Sequence, residues 1–210
     1  MLCIDHIVIG TANLASGIKA LEPVFGITIP DGGKHPLMST HNAIMSTGNR
    51  EFLEVIAIDE TAPAPTRNRW FSLDEPATKE RLAMRPRALY WVVETDDLDD
   101  VIAKSPIDLG EPLSLSRGDL RWRLSVPQDG SLPEQGIIPA FIEWSHGPHP
   151  AQTQADFGIR LKQVKLRHPD PVGMTAIFAT LGIDHLAHLE EGPHQISFEM
   201  NTAAGTIIID

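Results

Sequence analysis

The chain has 210 residues and carries 17 Lys and Arg against 28 Asp and Glu, a formal net charge of −11. Apolar residues at 42% and charged residues at 21% form a globular balance, which argues against disorder across the chain. The negative charge opposes phosphate backbones and disfavours nucleic-acid binding, and no apolar run approaches a membrane span. Cys3 is the only cysteine, so neither an intrachain disulfide nor an all-cysteine metal site can form, and it reads as a small buried strand residue. The start, Met1-Leu2-Cys3-Ile4-Asp5-His6, lacks basic residues and places an acid inside its apolar stretch. It is not read as a signal peptide, and the chain is expected to be soluble and cytoplasmic.

Leu2 to Ile9 is β-branched and apolar, and predicts a strand ending at Gly10. Thr11 or Asn13 can cap a helix carrying Leu14, Ile18, Leu21 and Val24/Phe25 at helical spacing, closed by Gly26. Ile27 to Ile29 is extended, Asp31-Gly32-Gly33 reads as a turn or loop, and His41 to Ser46 and Phe52 to Ile58 are two strands. The order is β-α-β-β-β. It recurs in Ala88 to Val93, a helix from Asp96 to Lys104, and strands Leu120 to Val126 and Ile138 to Trp144. A third unit runs from a strand at Leu161 to Arg167 through a helix at Pro171 to Leu181, with strands at Gln195 to Met200 and Thr206 to Ile209.

The units align with one another. His6-Ile7-Val8-Ile9 falls on Tyr90-Trp91-Val92-Val93, and Phe52-Leu53-Glu54-Val55 on Phe141-Ile142-Glu143-Trp144. The expected division is a first module over 1–59, a connector over 60–87, a second module over 88–145, a linker over 146–157 and a third module-like unit over 158–210. His146 and His149 in the Pro-rich linker invite a metal reading, but such a linker lacks the rigid scaffold a site needs.

Glu54 and Glu143 each interrupt an apolar strand, where an unpaired buried carboxylate costs several kcal/mol; each must be paired, protonated, metal-bound or at a solvated edge. His6 is a polar residue between Ile4 and Val8 on one strand face, and by itself reads as well as a satisfied core histidine as it does as a ligand.

The paired βαβββ units resemble the vicinal oxygen chelate superfamily, which includes glyoxalase I, extradiol dioxygenases, epimerases and bleomycin-resistance proteins. Leu2 to Val8, Gly32-Gly33-Lys34-His35-Pro36, Thr40-His41-Asn42-Ala43, Phe52 to Ile56, Trp70 to Asp74 and Leu120 to Leu124 resemble its uncharacterised glyoxalase-like domain branch. The resemblance implies an α+β fold of tandem modules whose curved mixed sheet surrounds a cleft, with a third partial module. It also implies four ligand slots, falling on His6, Glu54, Tyr90 and Glu143. His6, Glu54 and Glu143 would hold a divalent ion (Zn, Ni, Mn, Mg or Fe), or the site binds none. Glu143 is the expected base, with Tyr90 beside the ion as a hydrogen-bond donor.

His41, Asn42, Arg121 and Arg123 are expected to bind substrate, an arginine holding a carboxylate through paired hydrogen bonds; Arg67 and Arg69 read as connector surface. The implied function is a metal-dependent lyase or isomerase acting on a small, anionic carbonyl compound. Its alternatives are a metal-free binding or sequestering protein and an extradiol-type dioxygenase, and a homodimer stays open.

Overall fold

A computed structural model describes residues 2–210; Met1, from which the first module was counted, lies outside the described residues. The first module comprises β1 (Cys3–Gly10), α1 (Leu14–Phe25), β2 (Asp31–His35), β3 (Thr40–Gly48) and β4 (Glu51–Ile58). Asn13 caps α1 by accepting the Ser16 N–H, and Gly26, at φ +71°, closes it in the left-handed conformation that glycine adopts without steric cost. After α2 (Pro76–Met84) the second module follows as β5 (Arg87–Glu94), α3 (Leu98–Lys104), β6 (Glu111–Arg117), β7 (Leu120–Val126) and β8 (Ala140–His146).

These eight strands form one sheet in the order β2-β3-β4-β1-β5-β8-β7-β6. β1 pairs parallel with β4, and β5 parallel with β8, while β1 and β5 run antiparallel at the centre. The two modules are therefore joined back to back, and the sheet curls so that its edges, β2 and β6, approach each other. One face lines the interior. α1 and α3 cover the other, burying Leu14, Leu21 and Phe25, and Leu98 and Val101. The fold is α+β, as expected.

A short helix, α4 (Pro150–Thr153), leads to β9 (Arg160–His168), α5 (Pro171–Leu181), β10 (Ala187–Glu191), β11 (Gln195–Thr202) and β12 (Gly205–Ile209). Their sheet runs β10-β9-β11-β12, so the third unit shares the element order of the modules but not their strand order. Phe178 of α5 packs on the fully buried Trp91 of β5, with ring centroids 6.2 Å apart. Burial of each such ring is worth about 1.5–3 kcal/mol.

Besides the short α4 in the linker, four elements depart from the sequence expectation. β2 lies where a turn was read, because Asp31-Gly32-Gly33 is an edge strand held to β3 across a register shift. α2 lies within the connector, and β6 and β10 were not anticipated; they are edge strands of low apolar content.

Glu51 at the start of β4 faces the third unit and accepts hydrogen bonds from Thr47 and from the backbone of Leu161. Burial pushes its carboxyl pKa up to about 7, against the smaller lowering effects of those hydrogen bonds. Its ionisation therefore costs stability as pH rises from the ordinary carboxyl range through about 7, and costs nothing below it. Glu51→Gln should raise the urea midpoint relative to wild type near pH 8, with the gain disappearing near pH 4; a gain independent of pH would contradict this.

Candidate active site

Asp5 organises the interior. The β1–β5 register shifts between Ile4 and His6, and this irregularity leaves Asp5 without a partner on β5. Bulges re-aim side chains, and this one carries Asp5 into complete burial. Asp5 Oδ1 accepts from His6 Nδ1 at 2.5 Å, and Oδ2 accepts from Trp144 Nε1 at 2.7 Å and His149 Nε2 at 3.0 Å. Burial alone would raise the Asp5 pKa, but the hydrogen bonds from His149 and His6 outweigh it and hold the carboxyl at about 2. His149 Nδ1 accepts the Ala151 N–H at 3.2 Å, so its proton sits on Nε2. The same network assigns the His6 proton to Nδ1 and leaves the Nε2 lone pair facing the interior.

His6 Nε2 faces Glu54 Oε2 at 3.8 Å across a cavity of about 40 Å³, room for a few water molecules. Phe52, Trp70, Trp122 and Trp144 wall it, and Phe52 stacks on the His6 ring at 4.4 Å. Glu54 Oε1 accepts from Asn42 Nδ2 at 2.5 Å, while Asn42 Oδ1 accepts from Gly33 N at 2.7 Å and from the Arg117 guanidinium at 3.4 Å. Arg117 reaches from the end of β6 across the seam to β2 and β3. Gly33 permits this crossing, since a Cβ there would lie 2.7 Å from Arg117 Cδ.

The cation is underused. Arg117 makes no ion pair within 4 Å among the described residues, and burial lowers its pKa while the charge of Glu54 raises it. Trp70 Nε1 is likewise buried with no acceptor among the described residues. His35, beside them, is pulled down to about 3, by burial first and then by Arg117 and the neighbouring histidines, and is neutral near pH 7. A second hollow of about 210 Å³ outside the seam shares His35 and Trp122 with the cavity.

The structure gathers His6, Glu54 and Asn42 of the residues singled out in the sequence. It does not bring Glu143 to them. Trp122 and Trp144 occupy the inward positions, so alternation sends Arg121, Arg123 and Glu143 to the opposite face. There Glu143 accepts from Arg123 at 2.7 Å and from the Leu98 N–H at 2.9 Å, and the Arg123 hydrogen bonds hold its carboxyl below the ordinary value. The repeat alignment equated Glu143 with Glu54, but the two are one residue out of step, and a one-residue slip changes the face.

Arg121 is exposed and bonded to the Gly118 and Leu120 carbonyls. His41 is half-buried and alternates away from Asn42. Tyr90 is buried, edge-on to Phe71 at 5.2 Å and outside the cavity wall, with burial pushing its phenol pKa far up. Arg67 and Arg69 brace the connector, on the Pro127 carbonyl and on Asp74. Cys3 is half-buried, its thiol pKa raised by burial and by Glu94.

Asp5 and Arg117 were missed, and His149 was weighed only as a linker metal ligand and set aside. Arg117 shares a face with Leu113 and Leu115, and that period-two pattern could have found it. His149 is 3% exposed and caps α4, so the linker is ordered where its proline content implied a free connector; His146 remains exposed.

A divalent ion needs three or four donors. The cavity supplies His6 Nε2 and Glu54 Oε2, while Asn42 Oδ1 already accepts two N–H groups. Of the other polar groups at the cavity, the Arg117 guanidinium and the Trp70 indole are donors that disfavour a cation, and the His35 imidazole does not join His6 and Glu54 in any ligand group within 4.8 Å among the described residues. These residues do not fit the superfamily's metal. Elsewhere, two groups bring potential ligand atoms within 4.8 Å of one another: Asp5, Glu94 and His149, and Glu134, His168 and His194.

A family model described as a glyoxalase-like domain matches residues 4–182, and the chain belongs to that family. No curated protein matches it. A hypothetical protein from Staphylococcus aureus shares the fold with a TM-score of 0.60 at 13% identity, over 99% of this chain and 84% of that one. Methylmalonyl-CoA epimerase from Mycobacterium tuberculosis aligns at a TM-score of 0.44 and 15% identity, over 70% of this chain and 89% of its own. A Streptomyces coelicolor methylmalonyl-CoA epimerase variant aligns at 0.41 and 16%, over 69% and 97%. Among the described residues no helix is long and apolar enough to cross a membrane.

The depressed Asp5 pKa contributes stability that is present above the ordinary carboxyl value near 3.8 and is lost as pH falls through about 2. Asp5→Asn should cost on the order of 2 kcal/mol in urea unfolding at neutral pH, narrowing toward pH 2. Unchanged neutral stability would contradict the network described.

Proposed function

We propose that this member of the glyoxalase-like domain family is a metal-independent lyase or isomerase that moves a proton on a small carbonyl compound bearing an anionic group. The observation that carries the reading is the His6–Glu54 pair facing an interior that also holds the Arg117 guanidinium, which makes no ion pair within 4 Å among the described residues. His6 is oriented from behind by Asp5, as a general base must be to present one nitrogen in one direction. Its Nε2 would take a proton from a carbon next to the carbonyl. The protonated His6 would pass that proton across the gap to the Glu54 carboxylate, which would deliver it to the adjacent carbon or oxygen and so return both groups to their starting state.

Arg117 supplies the charge that holds the anionic group, in the paired geometry suited to a carboxylate. Trp70 Nε1, which has no acceptor among the described residues, would donate to the oxygen on which negative charge develops, while Asn42 Nδ2 holds Glu54. The aromatic walls would shield a bound ligand from bulk water, which would strengthen each of these contacts. Entry would run through the β2–β6 seam, where the 3.4 Å contact from Arg117 to Asn42 is the weakest link in the chain of hydrogen bonds. The small volume limits the reacting part of the substrate to a few heavy atoms.

The rival reading is a binding or sequestering protein, and the same pocket supports it, because Arg117 and the indoles would retain an anionic ligand without chemistry. Deuterium exchange into short 2-oxo acids, followed by proton NMR in D2O, separates the two. Wild type should exchange the protons next to the carbonyl with or without chelator, and Glu54→Gln should slow this by about 10²-fold or more. Arg117→Gln should weaken binding by about tenfold or more, whereas Arg123→Gln leaves it unchanged. Binding without exchange would favour the sequestering protein; loss of exchange on chelation would restore a metal-dependent enzyme.

A further inference from the structure

Glu134, His168 and His194 bring one ligand atom each within 4.8 Å of one another, on the side of the molecule where the second module meets the third unit. Glu134 lies in the short 3-10 turn between β7 and β8, His168 ends β9, and His194 immediately precedes β11. None of them belongs to the cavity at His6 and Glu54. We propose that these three residues form a site for a borderline transition-metal ion, of which zinc is the type, and that the ion ties the third unit to the turn behind the cleft.

Three features support a site rather than a chance cluster. Glu134 Oε2 stands 3.6 Å from His168 Nε2, too far for a good hydrogen bond. It is close to the roughly 3.4 Å that separates two ligands on a tetrahedral ion with bonds near 2.05 Å. The His168 and His194 rings stand at 87° with centroids 4.5 Å apart, and each brings a nitrogen within 4.8 Å of a Glu134 carboxylate oxygen. His168 Nδ1 accepts the Asp170 N–H at 2.9 Å and lies 3.0 Å from the Asp170 carbonyl, so an ion on Nε2 requires the ring proton to move to Nδ1 and be donated to that carbonyl, the outer hydrogen bond that metal-bound histidines commonly make. His194 makes no hydrogen bond or ion pair among the described residues, so its nitrogens are uncommitted.

The other cluster differs in this respect. Both Asp5 oxygens and both His149 nitrogens are already engaged in hydrogen bonds, which makes it a closed network. Two histidines and one carboxylate match the donor preference of zinc and leave a fourth position for water.

The test uses the full untagged chain. Titration with Co2+ alone, read by visible absorption, should show about one tetrahedral ion per chain, displaced by zinc. Zinc at about 100 times its dissociation constant should raise Tm by roughly 5 °C or more. His194→Ala and Glu134→Gln, which alter side chains at the rim, should each weaken binding at least tenfold and abolish the shift. His6→Ala should keep both. Lack of metal uptake by wild type, unchanged binding in His194→Ala, or loss of binding in His6→Ala would each overturn the site. None of these outcomes depends on catalysis at the cleft.

Discussion

A single buried carboxylate sets the geometry of this molecule's interior. Asp5 is held ionised by three N–H donors that come from β1 itself, from β8 and from the segment before α4. Leaving any of those donors unsatisfied in an apolar interior would cost about 1–3 kcal/mol, so the three elements are bound to one point. The consequences reach in both directions. Toward the cleft, Asp5 fixes which nitrogen of His6 is exposed. Away from it, Asp5 seats His149 and with it the entry into the third unit. The bulge in β1 makes this possible, because a regular strand would pair position 5 with β5.

The second constraint is the seam of the curled sheet. Two edge strands meet there, and the structure closes them with a guanidinium rather than with a ladder of backbone hydrogen bonds. Arg117 passes over Gly33, touches Asn42, and places its charge near Glu54. A fixed positive charge opposite a carboxylate is a different solution from a coordinated ion. It favours an anionic ligand that displaces the long contact to Asn42, and it ties recognition to opening of the seam. Whether the bound molecule is then altered rests on the His6–Glu54 pair, since one scaffold of this kind hosts several chemistries.

The opening strand, its capped helix and the two-module layout were legible because apolar periodicity and capping residues are local signals. His6 and Glu54 were legible through the resemblance, and both lie on the inner face. Glu143 was not, because aligning Phe52 with Phe141 matched residue types without fixing the phase of the pleat. Trp144, not Glu143, projects inward from β8. Its indole was the clue, since Trp122 and Leu124 mark the same face on β7. Asp5 and His149 lie 144 residues apart, and neither carries a local pattern that announces the other. Long-range polar pairs of this kind become visible only once the chain is folded.

The claim on which the rest stands is the protonation pattern that Asp5 imposes, and nitrogen-15 NMR of the histidine side chains reads it directly. Long-range proton–nitrogen correlation near pH 8 should show His6 with its proton on Nδ1 and a bare Nε2, and His149 with its proton on Nε2. His6 found instead as the Nε2–H tautomer would mean that Asp5 does not accept from its ring, and the account of the cleft would fail.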